Sequence, residues 1–200
     1  MFRSHGALRR ERAAARGSRG RPSGGLLPVF MRSVVMPLLI DDVTLGDIES
    51  CARIACESEI GKRYGFVRAA LAEKMRTGLA SGAIIVIARE DDGTHETGGA
   101  SPCDILGFAW IDPRGAFGSA PYLKLIAVDT QKRSGGVGSA LLAEFERRTR
   151  SIGRVWTLMV SDFNLGAIAF YEKHGYSKAG SIPDFAVDGI TELLMVKRKP

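Results

Sequence analysis

The stretch that decides the fold covers residues 122–153 and is centred on the turn QKRSGGVG at residues 131–138. Before the turn lies an apolar segment, residues 123–128, whose β-branched side chains predict a buried strand. After the turn, apolar side chains recur at helical spacing as far as Ile152, and Gly153 stands where a helix often ends in a left-handed residue. The stretch therefore predicts a strand, a glycine-rich turn and a helix.

This arrangement is typical of an anion-binding site. The first amides of a helix have no intrahelical partner, and the helix dipole adds partial positive charge there. Gly135, Gly136 and Gly138 carry no Cβ atom, so a phosphate can approach the backbone closely. No Lys-Ser/Thr pair follows these glycines, and Leu141 occupies the third position of a Rossmann pattern, so neither nucleotide motif is present. A plain strand-to-helix turn is the alternative interpretation.

Two motifs resemble those of the GNAT superfamily of acetyl-CoA-dependent N-acetyltransferases. Arg133-x-x-Gly136-x-Gly138 resembles its pyrophosphate-binding motif, R/Q-x-x-G-x-G/A. NLGAIAFYEKHGY at residues 164–176 resembles its second motif, N-x-x-A-x-x-[FL]-Y-x-x-x-G-[FY]. The resemblance covers residues 36–199. It implies a mixed α/β sheet of six to seven strands with four helices, in which the central strands on either side of the glycine turn splay apart.

The resemblance also implies that acetyl-CoA binds as co-substrate in the cleft between the splayed strands. Strand backbone groups would pair with the pantetheine arm, and amides of the glycine turn would hold the pyrophosphate. The residues expected to bind the co-substrate are Ile126, Ala127, Val128, Arg133, Ser134, Gly135, Gly136, Val137, Gly138, Ser139, Asn164 and Ala167. Tyr171, on the same helix face as Ala167, is expected to reprotonate the coenzyme A thiolate. The alternative is that Tyr171 is a core aromatic residue with a hydrogen-bonded hydroxyl.

The base that deprotonates the acceptor amine is left open by the sequence. An alkyl amine with a pKa near 10.4 is mostly charged at pH 7, so a base must remove its proton before attack. Some relatives place a Glu base in the strand after the glycine-turn helix, but here that position is Met159. This departure argues against protein N-terminal acetylation of the ribosomal-protein type. Asp162, Glu57 and Glu192 remain as candidate bases.

The function implied is transfer of an acetyl group from acetyl-CoA to a primary amine of a small molecule or protein, by direct attack in a ternary complex. The alternative is a non-catalytic acyl-CoA-binding or sensor module of the same fold. We expect an amine acceptor as partner, no metal, no membrane and no nucleic acid, and leave homodimer formation open. In the superfamily, the loop at residues 58–62 lines the acceptor side. Candidate acceptor contacts are therefore Glu57, Glu59, Arg63 and Tyr64, although a solvated helix surface is the favoured interpretation of each one taken singly.

Charge is concentrated at the N-terminus. The net charge of the whole chain is +6, but residues 1–34 contain eight arginines and one acidic residue, which leaves the remainder near neutral. By charge, the remainder does not have a nucleic-acid-binding surface. The three cysteines form no C-x-x-C pair, so they indicate neither a disulfide framework nor a zinc site, and a reducing cytoplasm fits.

Residues 1–34 lack a core-forming pattern and are predicted to be a disordered basic extension, with residues 35–200 forming the acetyltransferase domain. Three interpretations compete for the extension: an organelle presequence, an arm for an anionic surface, or a segment upstream of a true start at Met31 or Met36. The third is favoured, because the enzyme-like pattern begins directly after Met36.

The predicted element order is β-α-α-β-β-β-α-β-α-β-β, which indicates a mixed sheet. We expect strands at residues 37–40, 83–88, 105–111, 117–128, 155–160, 177–187 and 190–197. Besides the helix of the second motif, we expect helices at residues 45–56, 62–79 and 137–152. Residues 112–115, DPRG, are predicted to form a turn, and Asp188-Gly189 a hairpin turn.

Overall fold

A computed structural model describes residues 38–90, 105–131 and 135–200. The predicted extension, residues 1–34, lies outside the described residues, as do Arg133 and Ser134 of the glycine turn. Within the described ranges, no helix is long and apolar enough to cross a membrane.

The described residues form seven strands, five α-helices and one short 3-10 helix. The strands are β1 (Leu38–Asp42), β2 (Ile84–Glu90), β3 (Ile105–Ala116), β4 (Ala120–Val128), β5 (Val155–Ser161), β6 (Ser177–Pro183) and β7 (Thr191–Arg198). The helices are α1 (Ile48–Glu57), α2 (Glu59–Arg63), α3 (Arg68–Ala80), α4 (Val137–Arg148) and α5 (Leu165–Lys173). The 3-10 helix, Leu45–Asp47, directly precedes α1.

All seven strands belong to one sheet with the order β1-β2-β3-β4-β5-β7-β6. Every neighbouring pair is antiparallel except β4 and β5, which run parallel. A parallel pair needs a crossover connection, and α4 provides it. The predicted mixed sheet is confirmed.

Helices cover both faces of the sheet, which explains why β2 and β3 are continuous apolar runs. On one face, Leu141 and Phe145 of α4 pack into a fully buried cluster with Ala109 of β3. On the other face, Phe108 of β3 packs with α1 and α3 around Met75. Alternate residues of β3 thus enter two separate cores.

Several boundaries differ from the prediction. Helix α4 ends at Arg148 instead of residue 152, strand β6 ends at Pro183 instead of residue 187, and the described residues form five α-helices instead of four.

Two further differences concern residues 62–79 and 112–115. The helix expected at residues 62–79 is split into α2 and α3, because Gly65 takes φ 63° in the left-handed region directly after α2. The turn expected at residues 112–115 lies inside β3 instead. Asp112 pairs with Tyr122 and Ala116 with Ala120, so a bulge in β3 absorbs the proline and glycine. The chain reverses at residues 117–119.

Candidate active site

Strands β4 and β5 are paired only near their beginnings. The registered partners are Tyr122 with Thr157 and Leu123 with Leu158, and the described residues form no further β4–β5 pair. Strand β4 stays paired with β3 as far as Val128, so the edge left open is the one that faces β5. A cavity of about 960 Å³ lies there.

The start of α4, where the glycine turn ends, borders this cavity. Gly136 is the N-cap of α4 with φ 79° and ψ 10°, and Gly135 has φ 114°. Side chains rarely adopt these angles, which explains the two adjacent glycines. Gly136 and the first turn of α4 line the cavity. The open amides of a helix start are therefore available to a ligand there.

Most of the residues predicted to bind the co-substrate meet in this one cavity. Its lining includes Ile126, Ala127, Val128, Gly136, Val137, Gly138, Ser139, Asn164, Ala167 and Tyr171. Gly135 precedes the lining residues of the turn but is not among them. Arg133 and Ser134 lie outside the described residues.

Asn164 has a structural role that its motif does not reveal. It is the N-cap of α5, and its side-chain oxygen accepts a hydrogen bond of 3.2 Å from the Ala167 amide. An N-cap of this kind satisfies one of the free amides of the helix. Contact of Asn164 with a co-substrate stays a prediction.

Tyr171 is buried, with 5% of its surface exposed, and its ring packs edge-on against Phe170 and Tyr176. Among the described residues, the Tyr171 hydroxyl has no hydrogen-bond partner, although Tyr171 lines the cavity. Burial raises the pKa of Tyr171 above its ordinary value, and the nearby Tyr122 adds to the shift. Tyr171 therefore presents a firmly held hydroxyl proton.

A second polar group borders the same cavity on β7. Glu192 is 6% exposed and lies opposite Ser161 of β5. Its Oε1 atom accepts a hydrogen bond of 3.1 Å from the Ser161 hydroxyl and another from the Tyr64 hydroxyl. The two hydroxyl oxygens are 2.7 Å apart. Burial and the bond to Glu192 raise the pKa of Tyr64 to about 12, so its hydroxyl stays protonated.

The other two candidate bases lie elsewhere. Glu57 is half exposed and forms a 2.8 Å ion pair with Arg53. Asp162 is exposed, and neither residue lines the cavity. Met159, which occupies the position of the Glu base of some relatives, does line it. Position alone thus favours Glu192 among the three acids.

Only some of the candidate acceptor contacts line the cavity. Tyr64 and Glu59 line the cavity, whereas Glu57 does not. The guanidinium of Arg63 lies 3.8 Å from the ring centre of Phe163, itself a lining residue.

His174, directly after α5, contacts the start of α4. It is half-buried, and its Nε2 atom lies 3.1 Å from the Ser139 hydroxyl at the start of α4. Its Nδ1 atom lies 2.8 Å from the Phe170 carbonyl oxygen. His174 therefore ties the end of α5 to the first turn of α4, a contact between two elements that spacing within either one does not indicate.

Comparisons with known proteins agree with this geometry. Residues 80–178 match a family model described as an acetyltransferase (GNAT) domain. A blasticidin-S acetyltransferase from Streptomyces morookaense is 38% identical over 76 residues, which cover 38% of this chain and 55% of that protein. The chain thus matches only about half the length of this relative.

Two solved structures share the fold. A GNAT-family acetyltransferase from Bacillus cereus has a TM-score of 0.63 at 18% identity, covering 82% of this chain and 99% of that one. Ard1 from Thermoplasma volcanium has a TM-score of 0.64 at 23% identity, covering 82% and 98%. The family assignment rests on the domain match and on the blasticidin-S acetyltransferase, and the shared fold agrees with it. The chain belongs to the GNAT superfamily of acetyltransferases.

Proposed function

We propose that this protein transfers the acetyl group of acetyl-CoA to a primary amine by direct attack in a ternary complex. The observation that supports this most is that one cavity between β4 and β5 joins the start of α4, the open edge of β4 and the Tyr171 hydroxyl. Each suits a different part of acetyl-CoA: the pyrophosphate, the pantetheine amides and the thioester sulfur.

Binding follows from backbone groups more than from side chains. The free amides and the dipole at the start of α4 attract the pyrophosphate, with Arg133 and Ser134 expected to add to this. The pantetheine amides pair with the open edge of β4 as an added strand would. An amide of β4 near Ile126 then donates to the oxyanion formed when the thioester is attacked.

Tyr171 is proposed to act on the leaving group. A phenol with a pKa near 10 and a thiol with a pKa near 8.5 already make full proton transfer to the thiolate unfavourable. Burial raises the pKa of Tyr171 further, which makes this transfer harder still. We therefore expect the hydroxyl to act chiefly as a hydrogen-bond donor that stabilises the developing thiolate.

The acceptor class to test first is a small-molecule amine. One relative, which is 38% identical to this chain over 76 residues, is named a blasticidin-S acetyltransferase. Met159 stands where some relatives have a Glu base, and this difference argues against protein N-terminal amines of the ribosomal-protein type as acceptors. A lysine side chain of a protein is the second class.

The test measures coenzyme A release by the full chain with a thiol reagent, and product by mass spectrometry. The amine panel contains blasticidin S, spermidine, 2-phenylethylamine and a lysine-containing peptide, with a reaction lacking amine as control. We expect an acetylated amine and intersecting double-reciprocal plots, the pattern of a ternary complex. Acetyl-CoA binding without transfer to any amine would favour the non-catalytic module, and absence of acetyl-CoA binding would refute both functions.

A further inference from the structure

We infer that Glu192, held in place by Tyr64 and Ser161, binds the ammonium group of the acceptor and takes its proton. This inference rests on the proposed function and names the group that the acceptor amine meets. The acceptor amine arrives as a cation and loses its first proton at this carboxylate.

The first support is a buried carboxylate without a cation. Glu192 is 6% exposed, and no described Lys or Arg forms an ion pair with it. A buried charge is costly unless it is both hydrogen-bonded and paired. Two hydroxyl groups satisfy the first requirement, and a ligand cation entering the cavity would satisfy the second.

The second support is the arrangement of the hydrogen bonds. Both hydroxyl groups, of Tyr64 and of Ser161, donate to the same oxygen, Oε1. The other oxygen, Oε2, has no hydrogen-bond donor among the described residues, and Glu192 lines the cavity. The carboxylate is thus fixed by one oxygen and free to accept from a ligand with the other.

The third support is the position of Glu192 relative to Tyr171. Tyr122 of β4 is near both residues: burial and the charge of Glu192 raise its pKa, and Tyr122 in turn contributes to the raised pKa of Tyr171. All three residues line the same cavity. An amine bound to Glu192 and a thioester near Tyr171 would therefore occupy the same cavity.

The reaction balances with these groups. One proton passes from the ammonium nitrogen to Glu192, and the nitrogen lone pair attacks the thioester carbonyl carbon. The C–N bond forms, the C–S bond breaks, and the electron pair of the C–S bond leaves with sulfur. The second proton lost by the nitrogen ends on the thiolate, with the Tyr171 hydroxyl stabilising it. Glu192 then releases its proton to solvent, so the net products are an amide, coenzyme A and one proton.

The main test is Glu192→Gln, which removes the charge and keeps the shape. We expect kcat/KM for the best amine of the panel to fall about 100-fold or more, the scale of a lost general base. The KM for acetyl-CoA and its calorimetric Kd should stay close to wild type, because the co-substrate meets other residues. The matched control is Glu172→Gln, the same change at an exposed position of α5 that does not line the cavity.

A measurement on the wild type keeps the inference testable if the variant does not fold. The best amine and its analogue with a hydroxyl group in place of the amine are compared as ligands in competition. We expect the cation to bind at least about tenfold more tightly, because only it pairs with the buried charge. Equal binding would overturn the inference.

The outcomes separate the two proposals. A wild-type protein that transfers acetyl to no amine refutes the proposed function. An active wild type whose Glu192→Gln variant keeps the same kcat/KM leaves the function intact and overturns only the role of Glu192.

Discussion

At the scale of single residues, Gly136 combines a backbone requirement with a place in the cavity. Its φ of 79° lies in the left-handed region, and a Cβ atom added there would meet nothing within 4 Å. Asp is among the side chains that tolerate this region. A substitution by Asp should therefore fold while it places a negative charge at the proposed phosphate site.

We predict that Gly136→Asp raises the Kd for acetyl-CoA more than about 100-fold, since it brings like charge and bulk to the start of α4. Calorimetry measures the Kd, and circular dichroism checks the fold. Gly189→Asp is the matched control, because Gly189 has φ 78° and equally open space but does not line the cavity. Unchanged binding by Gly136→Asp would contradict the proposed co-substrate site.

We predict that Tyr171→Phe lowers kcat about 100-fold, as expected for a lost proton or hydrogen-bond donor to the leaving group. Acetyl-CoA affinity and Tm should change little, because the ring still packs on Phe170 and Tyr176. Tyr176→Phe serves as control, since its hydroxyl donates to Glu146 away from the cavity. Wild-type turnover by Tyr171→Phe, with chemistry rate-limiting, would make Tyr171 a core residue only.

The residues of the cavity differ in how far the sequence could predict them. The glycine turn and β4 are contiguous, so a motif is enough to place them together. Glu192 meets Ser161 across 31 positions and Tyr64 across 128, and both contacts depend on long-range packing. Spacing alone could not separate Glu192 from Glu57 and Asp162.

At the scale of elements, the 3-10 turn before α1 is anchored by a buried ion pair. Asp47 accepts a hydrogen bond of 2.7 Å from Arg89 of β2, and both side chains are almost fully buried. The same carboxylate accepts from the backbone amide and hydroxyl of Thr44. These contacts join the start of α1 to the sheet.

We predict that Asp47→Asn lowers the free energy of unfolding by about 3 kcal/mol at pH 7, because it removes one charge of a buried pair. Urea titration measures the change. Glu49→Gln is the control, since Glu49 pairs with Arg76 at the surface, where such pairs contribute less than about 1 kcal/mol. Equal effects of the two substitutions would contradict the role of the buried pair.

The difference in stability between wild type and Asp47→Asn should depend on pH. Burial raises the pKa of Asp47, but the hydrogen bonds from Thr44 and the bond and charge of Arg89 outweigh it, so the pKa is lowered. Because its pKa in the folded state is lowered, the Asp47 carboxylate stabilises the fold at pH values above its ordinary pKa near 4. This stabilisation is lost as the pH falls through the folded-state pKa. The stability gap between wild type and Asp47→Asn should therefore narrow below about pH 4.

The order of elements could be predicted because apolar runs, and the glycines that mark the ends of elements, are local signals. The bulge in β3 could not, since Pro113 and Gly115 indicate a turn unless their pairing with β4 is known. The break between α2 and α3 was hidden for a similar reason: Phe66 continues the apolar spacing across Gly65. Both errors arise where backbone pairing or conformation overrides side-chain pattern.

At the scale of the whole molecule, the described part of the chain has two buried clusters of its own, one on each face of the sheet. The basic N-terminal residues have no core-forming sequence pattern. We predict that deletion of residues 1–34 leaves Tm and acetyl-CoA affinity nearly unchanged. Thermal unfolding and calorimetry of the truncated and full chains test this, and a loss of many degrees would show that the segment stabilises the domain.

The opening between β4 and β5 has a consequence for amide proton exchange. Backbone amides of residues 124–128 that face β5 lack a strand partner among the described residues, whereas those that face β3 are paired. In the free protein, we expect alternate amides along this segment to exchange deuterium at contrasting rates. Acetyl-CoA should slow the fast set by bonding to it and leave amides between β2 and β3 unchanged. Mass spectrometry of deuterated peptides would then show that the co-substrate protects the open edge of β4 from exchange.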